Sequence, residues 1–237
     1  MKFASLALMF SFALLAPLRS LAKPAIILQA TRNTRDLGGL PVKGGQLRPG
    51  RLFRSGALCF VTRADVDRLN ELHCTTVVDL RTAREIAKDG LDRPGLEIPR
   101  KLALPMHNSY GRGQQAYHSY IREGDSVVRS FFEMLGRSES YPVLFHCSAG
   151  KDRTGILAAL VLWSLGAERE VILDDYLQSQ RNAAGLIVKP EWIGEVFQYV
   201  DECGGIEAYL SKVGVSTETV ERLREELVEP SSEGPAT

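Results

Sequence analysis

The sequence predicts an α/β sandwich with a mostly parallel central sheet flanked by helices. Three observations point there. Short runs dense in β-branched residues, Thr75–Leu80 (TTVVDL) the clearest, are separated by stretches of helical periodicity. Helical patterns dominate the second half of the chain, as they do where helices cover a sheet. The segment from Tyr141 to Leu165 reads as an apolar strand, a small-residue loop and an apolar helix, the unit from which parallel sheets are built.

In chain order, Lys23–Gln29 is a short apolar lead-in or edge strand. Residues 32–50 are rich in Gly and Pro and read as loops and turns, followed by a short strand over 51–55. Thr62 is an N-cap for a helix carrying Val66, Leu69 and Leu72 on one face. After the strand at 75–80, Thr82 with Glu85 three residues on forms a capping box for a short helix through Ala87. Extended chain is expected over 98–104, a loop over 105–116 and helix over parts of 117–136. Further helices are expected at 154–165, 168–180, 191–201, 205–212 and 216–228, the last capped by Ser216. Residues 229–237 read as a flexible tail.

The chain of 237 residues suffices for one well-packed domain, expected over 23–228. Lys plus Arg and Asp plus Glu both number 29, so no broad basic face is implied and nucleic acid is not an expected partner. Residues 1–22 start with Lys2, continue through an apolar run and end on Ser20-Leu21-Ala22, the pattern of an export signal. That run is shorter than the ~20 residues that span a bilayer, so a periplasmic or secreted protein without stable membrane insertion is expected. The four cysteines, at 59, 74, 147 and 203, are too sparse for a disulfide scaffold, and a Cys59–Cys74 bridge is the one pairing considered. No Cys or His spacing suggests a metal site, and no cofactor is implied.

The chemistry concentrates in His146-Cys-Ser-Ala-Gly-Lys-Asp-Arg-Thr-Gly155. A thiol of pKa ~8.5 attacks as its thiolate, which inward-pointing backbone N–H groups and a helix N-terminus stabilise. Cys147 is therefore the candidate nucleophile. Ser148, Ala149 and Gly150 are small, so the backbone from 148 to 153 can approach and wrap a tetrahedral anion. Arg153 offers a planar fork that matches two phosphate oxygens. The Thr154 hydroxyl can donate to the departing sulfur, and Lys151 adds positive charge. Asp152 after Gly150-Lys151 excludes a nucleotide-binding Walker loop.

This loop resembles that of the protein tyrosine phosphatase superfamily, and within it the secreted bacterial tyrosine/lipid phosphatases typified by mycobacterial phosphatase B and its Listeria counterpart. Asn33-Thr-Arg-Asp-Leu-Gly-Gly39, Gly50-Arg-Leu-Phe-Arg-Ser55, Val77-Val-Asp-Leu-Arg81 with Glu85, Asp175-Tyr-Leu177 and Gly204-Gly-Ile-Glu-Ala-Tyr-Leu210 with Gly214 extend the similarity over most of 31–228. The resemblance implies the phosphatase fold and metal-independent hydrolysis of phosphomonoesters. Its substrates would be phosphotyrosine, with phosphoserine, phosphothreonine or phosphoinositides besides. Lys151 in the loop hints at lipid headgroups, or is a solvated charge that tunes the loop potential.

Many relatives carry their general acid on a Trp-Pro-Asp loop, and neither Trp163 nor Trp192 precedes Pro-Asp. Asp152 is favoured in its place, then Asp79, then Asp36. Asp79 could equally be a structural partner of Arg81 or Arg54, and His146 is expected to orient the loop from beneath. Residues 181–190 would form a small lid. An inositol-phosphate hydrolase, a sulfurtransferase and a non-catalytic phosphate-binding module are the competing readings.

Overall fold

The structure is a computed structural model that describes residues 28–183 and 185–231. The expected export signal lies outside the described residues, and Leu28 and Gln29 are not in a strand. A five-stranded sheet runs through the middle in the order β1-β4-β7-β5-β6. Its strands are β1 (Arg35–Asp36), β4 (Leu52–Ser55), β5 (Thr76–Asp79), β6 (Arg100–Ala103) and β7 (Val143–His146). Only the β1–β4 pair is antiparallel. The mostly parallel sheet expected from sequence is present.

Burial follows the pleat. In β7, Val143 and Phe145 face one layer and Leu144 the other, as a period of two requires. The larger layer packs Val143, Phe145, Val78 and Leu52 against α5 (Asp152–Ser164) and against Phe131 and Phe132 of α4 (Asp125–Leu135). The thinner layer sets Leu144, Phe53 and Val77 against Val66 and Leu69 of α1 (Arg63–Asn70). Helix α5 is apolar around most of its circumference because α3 (Gln114–Glu123), α6 (Arg169–Asn182), α7 (Pro190–Glu202) and α8 (Ile206–Lys212) surround it. Helix α2 (Ala83–Asp89) starts on the Thr82–Glu85 capping box, and Asp65 closes an analogous box with Thr62 on α1.

Three stretches are organised differently from the sequence reading, or more finely. The helical stretch at 117–136 is broken at Gly124 into α3 and α4. A β-carbon there would meet Tyr120 O at 2.5 Å and Met106 Cε at 2.8 Å, so the chain turns where only glycine fits. Residues 32–50 contain β1, β2 (Pro41–Val42) and β3 (Gly45–Leu47) as well as turns. Residues 229 and 230, expected in the tail, belong to β8 (Val228–Pro230), which follows α9 (Thr217–Leu227) and pairs antiparallel with β3. The last described strand is thus joined to the β2–β3 hairpin in a small second sheet, β2-β3-β8. All four cysteines are free, so the Cys59–Cys74 bridge is absent. Burial instead pushes the Cys74 thiol up to about 12.

The parallel register puts the strand ends level. Ser55, His146, Asp79 and Ala103 are neighbours across β4, β7, β5 and β6. Whatever follows His146 emerges at the carboxyl edge of the sheet, where α/β folds place their sites.

Candidate active site

Cys147 is the first residue past β7 and is 2% exposed. The loop from it to Lys151 enters α5 at Asp152. Its shape is set by what holds its carbonyls. The Ser148 carbonyl accepts the Ala57 N–H at 3.1 Å. The Gly150 carbonyl accepts Asn33 Nδ2 at 2.7 Å and Arg54 Nη2 at 2.9 Å. The Cys147 carbonyl lies 3.3 Å from His146 Nδ1. A trans peptide aims its N–H opposite its carbonyl. Pulling those carbonyls outward therefore turns the N–H groups of Ser148, Ala149 and Lys151 toward the interior of the loop. None of the backbone N–H groups from Ser148 to Arg153 has a partner among the described residues. Gly150 permits the close approach. Its φ is +66°, and a β-carbon there would lie 2.5 Å from Ser55 O.

Behind the loop is a buried charge cluster. Asp175 on α6 pairs with Arg35 at 2.9 Å and with Arg54 at 2.5 Å, and all three side chains are nearly inaccessible. Burial and the neighbouring Arg54 pull Arg35 down to about 10. Burial pushes the Asp175 carboxyl up, and the two arginines more than reverse this, holding it below the usual carboxylate range. Arg54 thus connects this cluster to the Gly150 carbonyl.

Arg153 sits one residue into α5, buried, with Nη1 on the Leu80 carbonyl at 3.1 Å. Both terminal nitrogens also reach Glu85, at 2.7 and 2.6 Å, and the Ser148 hydroxyl donates to the same carboxylate at 2.7 Å. Burial opposes charge on both partners. Their mutual hydrogen bonds outweigh it, raising Arg153 and holding Glu85 well below the carboxylate range, with the Cys147 charge adding to the effect on Arg153. Arg153 Nε and Thr154 Oγ1 are buried with no hydrogen-bond partner among the described residues. The Tyr120 ring faces the Arg153 guanidinium at 5.9 Å.

The carboxyl candidates fall in different places. Asp152, in the first turn of α5 and about one-third exposed, accepts the Tyr117 hydroxyl at 2.6 Å. Burial and the Asp152 charge keep Tyr117 protonated far above the ordinary tyrosine value, so this hydroxyl stays a donor. Asp79 is at the end of β5, bonded through both oxygens to Arg81 at 2.8–3.1 Å. Asp36 is turned away, accepting the N–H groups of Gly38 and Gly50 at 2.7 Å each. His146 is wholly buried beneath the loop, with Nε2 3.1 Å from Asp92, whose other oxygen meets Arg81. Asp79, Asp92 and His146 could cluster around an ion, yet each is engaged with Arg81 or with another of the three.

Lys151 reaches the Ile187 carbonyl at 2.9 Å and lies 4.7 Å above the Trp192 ring, joining the loop to the segment between α6 and α7. That contact, the Tyr117 hydroxyl on Asp152 and the Arg54–Asp175 support were not identified from sequence. Asn33, Arg54 and Asp175 lie within the motifs that carry the resemblance, which was the available signal. Tyr117 and Trp192 carried none, because a helix of unknown packing does not announce which tyrosine meets which carboxylate.

A cysteine at the foot of a loop of inward N–H groups, faced by a guanidinium, defines a cysteine-dependent phosphatase. A model of the tyrosine phosphatase family matches residues 26–229. A Cupriavidus necator protein assigned as a tyrosine-protein phosphatase is 36% identical over 168 residues, 64% of this chain and 62% of that one. The triple specificity protein phosphatase PtpB of Mycobacterium tuberculosis is 30% identical over 250 residues, covering 75% of this chain and 91% of that protein. Among solved structures, the core catalytic domain of the PP-IP phosphatase SIW14 from S. cerevisiae aligns with a TM-score of 0.47 at 17% identity, over 81% of this chain and 98% of that one. The chain belongs to the tyrosine phosphatase family.

Proposed function

We propose that this chain hydrolyses phosphomonoesters of protein tyrosine and of phosphoinositides through a phosphocysteine on Cys147. The observation that carries this reading is the run of backbone N–H groups from Ser148 to Arg153 that have no partner among the described residues, together with the buried Arg153 guanidinium, which interacts electrostatically with Cys147. The Cys147 thiolate attacks phosphorus as the ester P–O bond breaks, and the leaving oxygen takes a proton from Asp152. The loop N–H groups and Arg153 hold the equatorial oxygens, where charge spreads in transit. Water then cleaves the S–P bond, with Asp152 taking its proton and Thr154 stabilising the departing sulfur. Asp152 is preferred to Asp79 because Tyr117 positions it at the loop, whereas both oxygens of Asp79 are held by Arg81.

The relatives support a broad substrate range. PtpB is named for triple specificity, and an Arabidopsis thaliana inositol diphosphatase is 38% identical over 69 residues, 27% of this chain. The deciding experiment is phosphate release by wild type and Cys147→Ser from a phosphotyrosine peptide, phosphatidylinositol phosphates and inositol hexakisphosphate. Release that disappears in the variant supports the cysteine route, and the preferred substrate selects among protein, lipid and soluble inositol phosphates. No release from any of them by folded, reduced protein would return the chain to a binding role. Export, read from residues 1–22, is proposed alongside and is tested by the mass of the protein recovered outside the cytoplasm.

A further inference from the structure

Two residues other than glycine have a positive φ among the described residues, His73 and Asn33. His73 is in an exposed turn, whereas Asn33, at φ +63°, is buried. Asparagine tolerates the left-handed region better than most residues, but a buried side chain held there needs contacts that impose the conformation. Those contacts are specific. Asn33 Nδ2 donates to the Gly150 carbonyl at 2.7 Å, and Asn33 Oδ1 accepts Arg35 Nη1. The carbonyl can only accept and the guanidinium can only donate, so the amide has one possible orientation. Arg35 is fixed in turn by Asp175, through Nε on the carboxylate at 2.9 Å and Nη2 on the backbone carbonyl at 2.8 Å.

The same carboxylate holds Arg54, whose Nη2 also reaches the Gly150 carbonyl, at 2.9 Å. Two routes from Asp175, one through Arg35 and Asn33 and one through Arg54, thus converge on a single carbonyl of the catalytic loop. All four side chains are buried. The Ser148 carbonyl, in contrast, takes one backbone N–H at 3.1 Å. Arg54 alone would leave the Gly150 carbonyl satisfied, so the second donor adds direction. That carbonyl shares its peptide with the Lys151 N–H, which has no partner among the described residues. Two donors on one carbonyl fix the plane of the peptide and polarise it, which aims the N–H across the loop and strengthens it as a donor.

We propose that Asn33 is a positioning residue of the catalytic loop, acting through the Gly150 carbonyl to aim the Lys151 N–H at the phosphoryl oxygens. This gives a role to the motif at residues 33–39, which the chemistry of the reactive decapeptide leaves unused. The inference rests on the cysteine-phosphatase reading of the loop and adds to it a group 117 residues away in the chain. Because the Lys151 N–H acts on the phosphoryl group, the contribution of Asn33 is independent of the leaving group. Proton donation by Asp152 is not, which separates the two roles.

The test uses the reduced full chain with Asn33→Gly and Asn33→Asp. Glycine keeps the left-handed backbone and removes the side chain, whereas aspartate keeps the shape and an acceptor for Arg35 but removes the donor. Both should weaken vanadate binding about tenfold, the worth of roughly one hydrogen bond at the loop. Both should lower kcat/KM by the same factor for an alkyl phosphate and for nitrophenyl phosphate. Leu223→Ala, which opens a cavity beneath α9, controls for lost stability and should leave vanadate affinity unchanged. Unaltered vanadate affinity in either folded Asn33 variant would reduce Asn33 to a packing residue and overturn the proposal. An equal loss in Leu223→Ala, or a loss confined to the alkyl phosphate, would overturn it too. Wild-type protein supplies a reading that needs no variant. Its Lys151 amide resonance should move when vanadate binds, and an unmoved resonance overturns the proposal even if no Asn33 variant folds. Wild type that neither binds vanadate nor releases phosphate would defeat the phosphatase reading itself. An active wild type with unaffected Asn33 variants would defeat this inference alone.

Discussion

Glu85 takes both terminal nitrogens of Arg153 and the Ser148 hydroxyl, so one carboxylate aligns two parts of the loop. Its pKa in the folded protein lies below the ordinary ~4.3, so its stabilising contribution is complete above that value and is lost as pH falls toward the folded one. Glu85→Gln should lower stability by about 2 kcal/mol at pH 7, with the gap closing under acid conditions. Chemical denaturation at pH 7 and pH 3, values chosen on either side of the ~4.3 reference, measures this, and a gap independent of pH would show the carboxylate charge to be irrelevant. Asp152→Asn tests the proton donor. It should reduce kcat about 100-fold or more for alkyl phosphates and much less for nitrophenyl phosphate, whose leaving group needs no proton. Equal losses on both substrates would point to a positional role. Cys147 and Arg153 could be proposed from sequence because their chemistry is carried by residue type and spacing, whereas Asp152, Asp79 and Asp36 remained alternatives for the acid. Glu85 could be placed at a helix cap and within a motif of the resemblance, but nothing local shows that the far side of the cap meets Arg153 on another helix.

At the scale of elements, the loop is as much a product of β4 and α6 as of its own sequence. Gly150→Ala would force a β-carbon into the Ser55 backbone at a positive φ. The expected outcome is at least a 100-fold loss of kcat/KM with weaker vanadate affinity, since the N–H ring would no longer close. Unchanged vanadate binding would mean that the ring survives the clash. Asp175→Asn strikes the support from behind, leaving Arg35 and Arg54 buried without a countercharge. A loss of about 3–5 kcal/mol is expected in urea denaturation. A loss below 1 kcal/mol would show that the arginines find water or other partners. The capping boxes at Thr62 and Thr82 belong to the same scale and illustrate what is readable locally, because the cap and its helix are neighbours in the chain. At Gly124 the obstacle to a β-carbon is the Tyr120 carbonyl of the preceding turn, with Met106 from another segment beside it, so local and distant contacts meet at the break.

Across the whole molecule, β8 joins the end of the described residues to β3, and Val228 within it is buried beside Leu227. Removing residues 228–237 should lower Tm by several degrees while leaving KM for a soluble substrate nearly unchanged, because the strand is remote from the sheet edge that bears Cys147. A large change in KM with an unaltered Tm would contradict that separation. The amino-acid sequence by itself determined the alternation of strands and helices, the caps, the reactive decapeptide and the family, because each depends on residues that are neighbours or regularly spaced. Only the tertiary structure decided which partners hold each candidate carboxylate, what turns the loop carbonyls outward, and that Val228–Pro230 is a strand. These depend on contacts such as Asn33 with Gly150 and Gly45 with Pro230, between segments more than a hundred residues apart. Local propensity cannot encode such pairs, because the free energy that selects them arises only when distant surfaces are buried together.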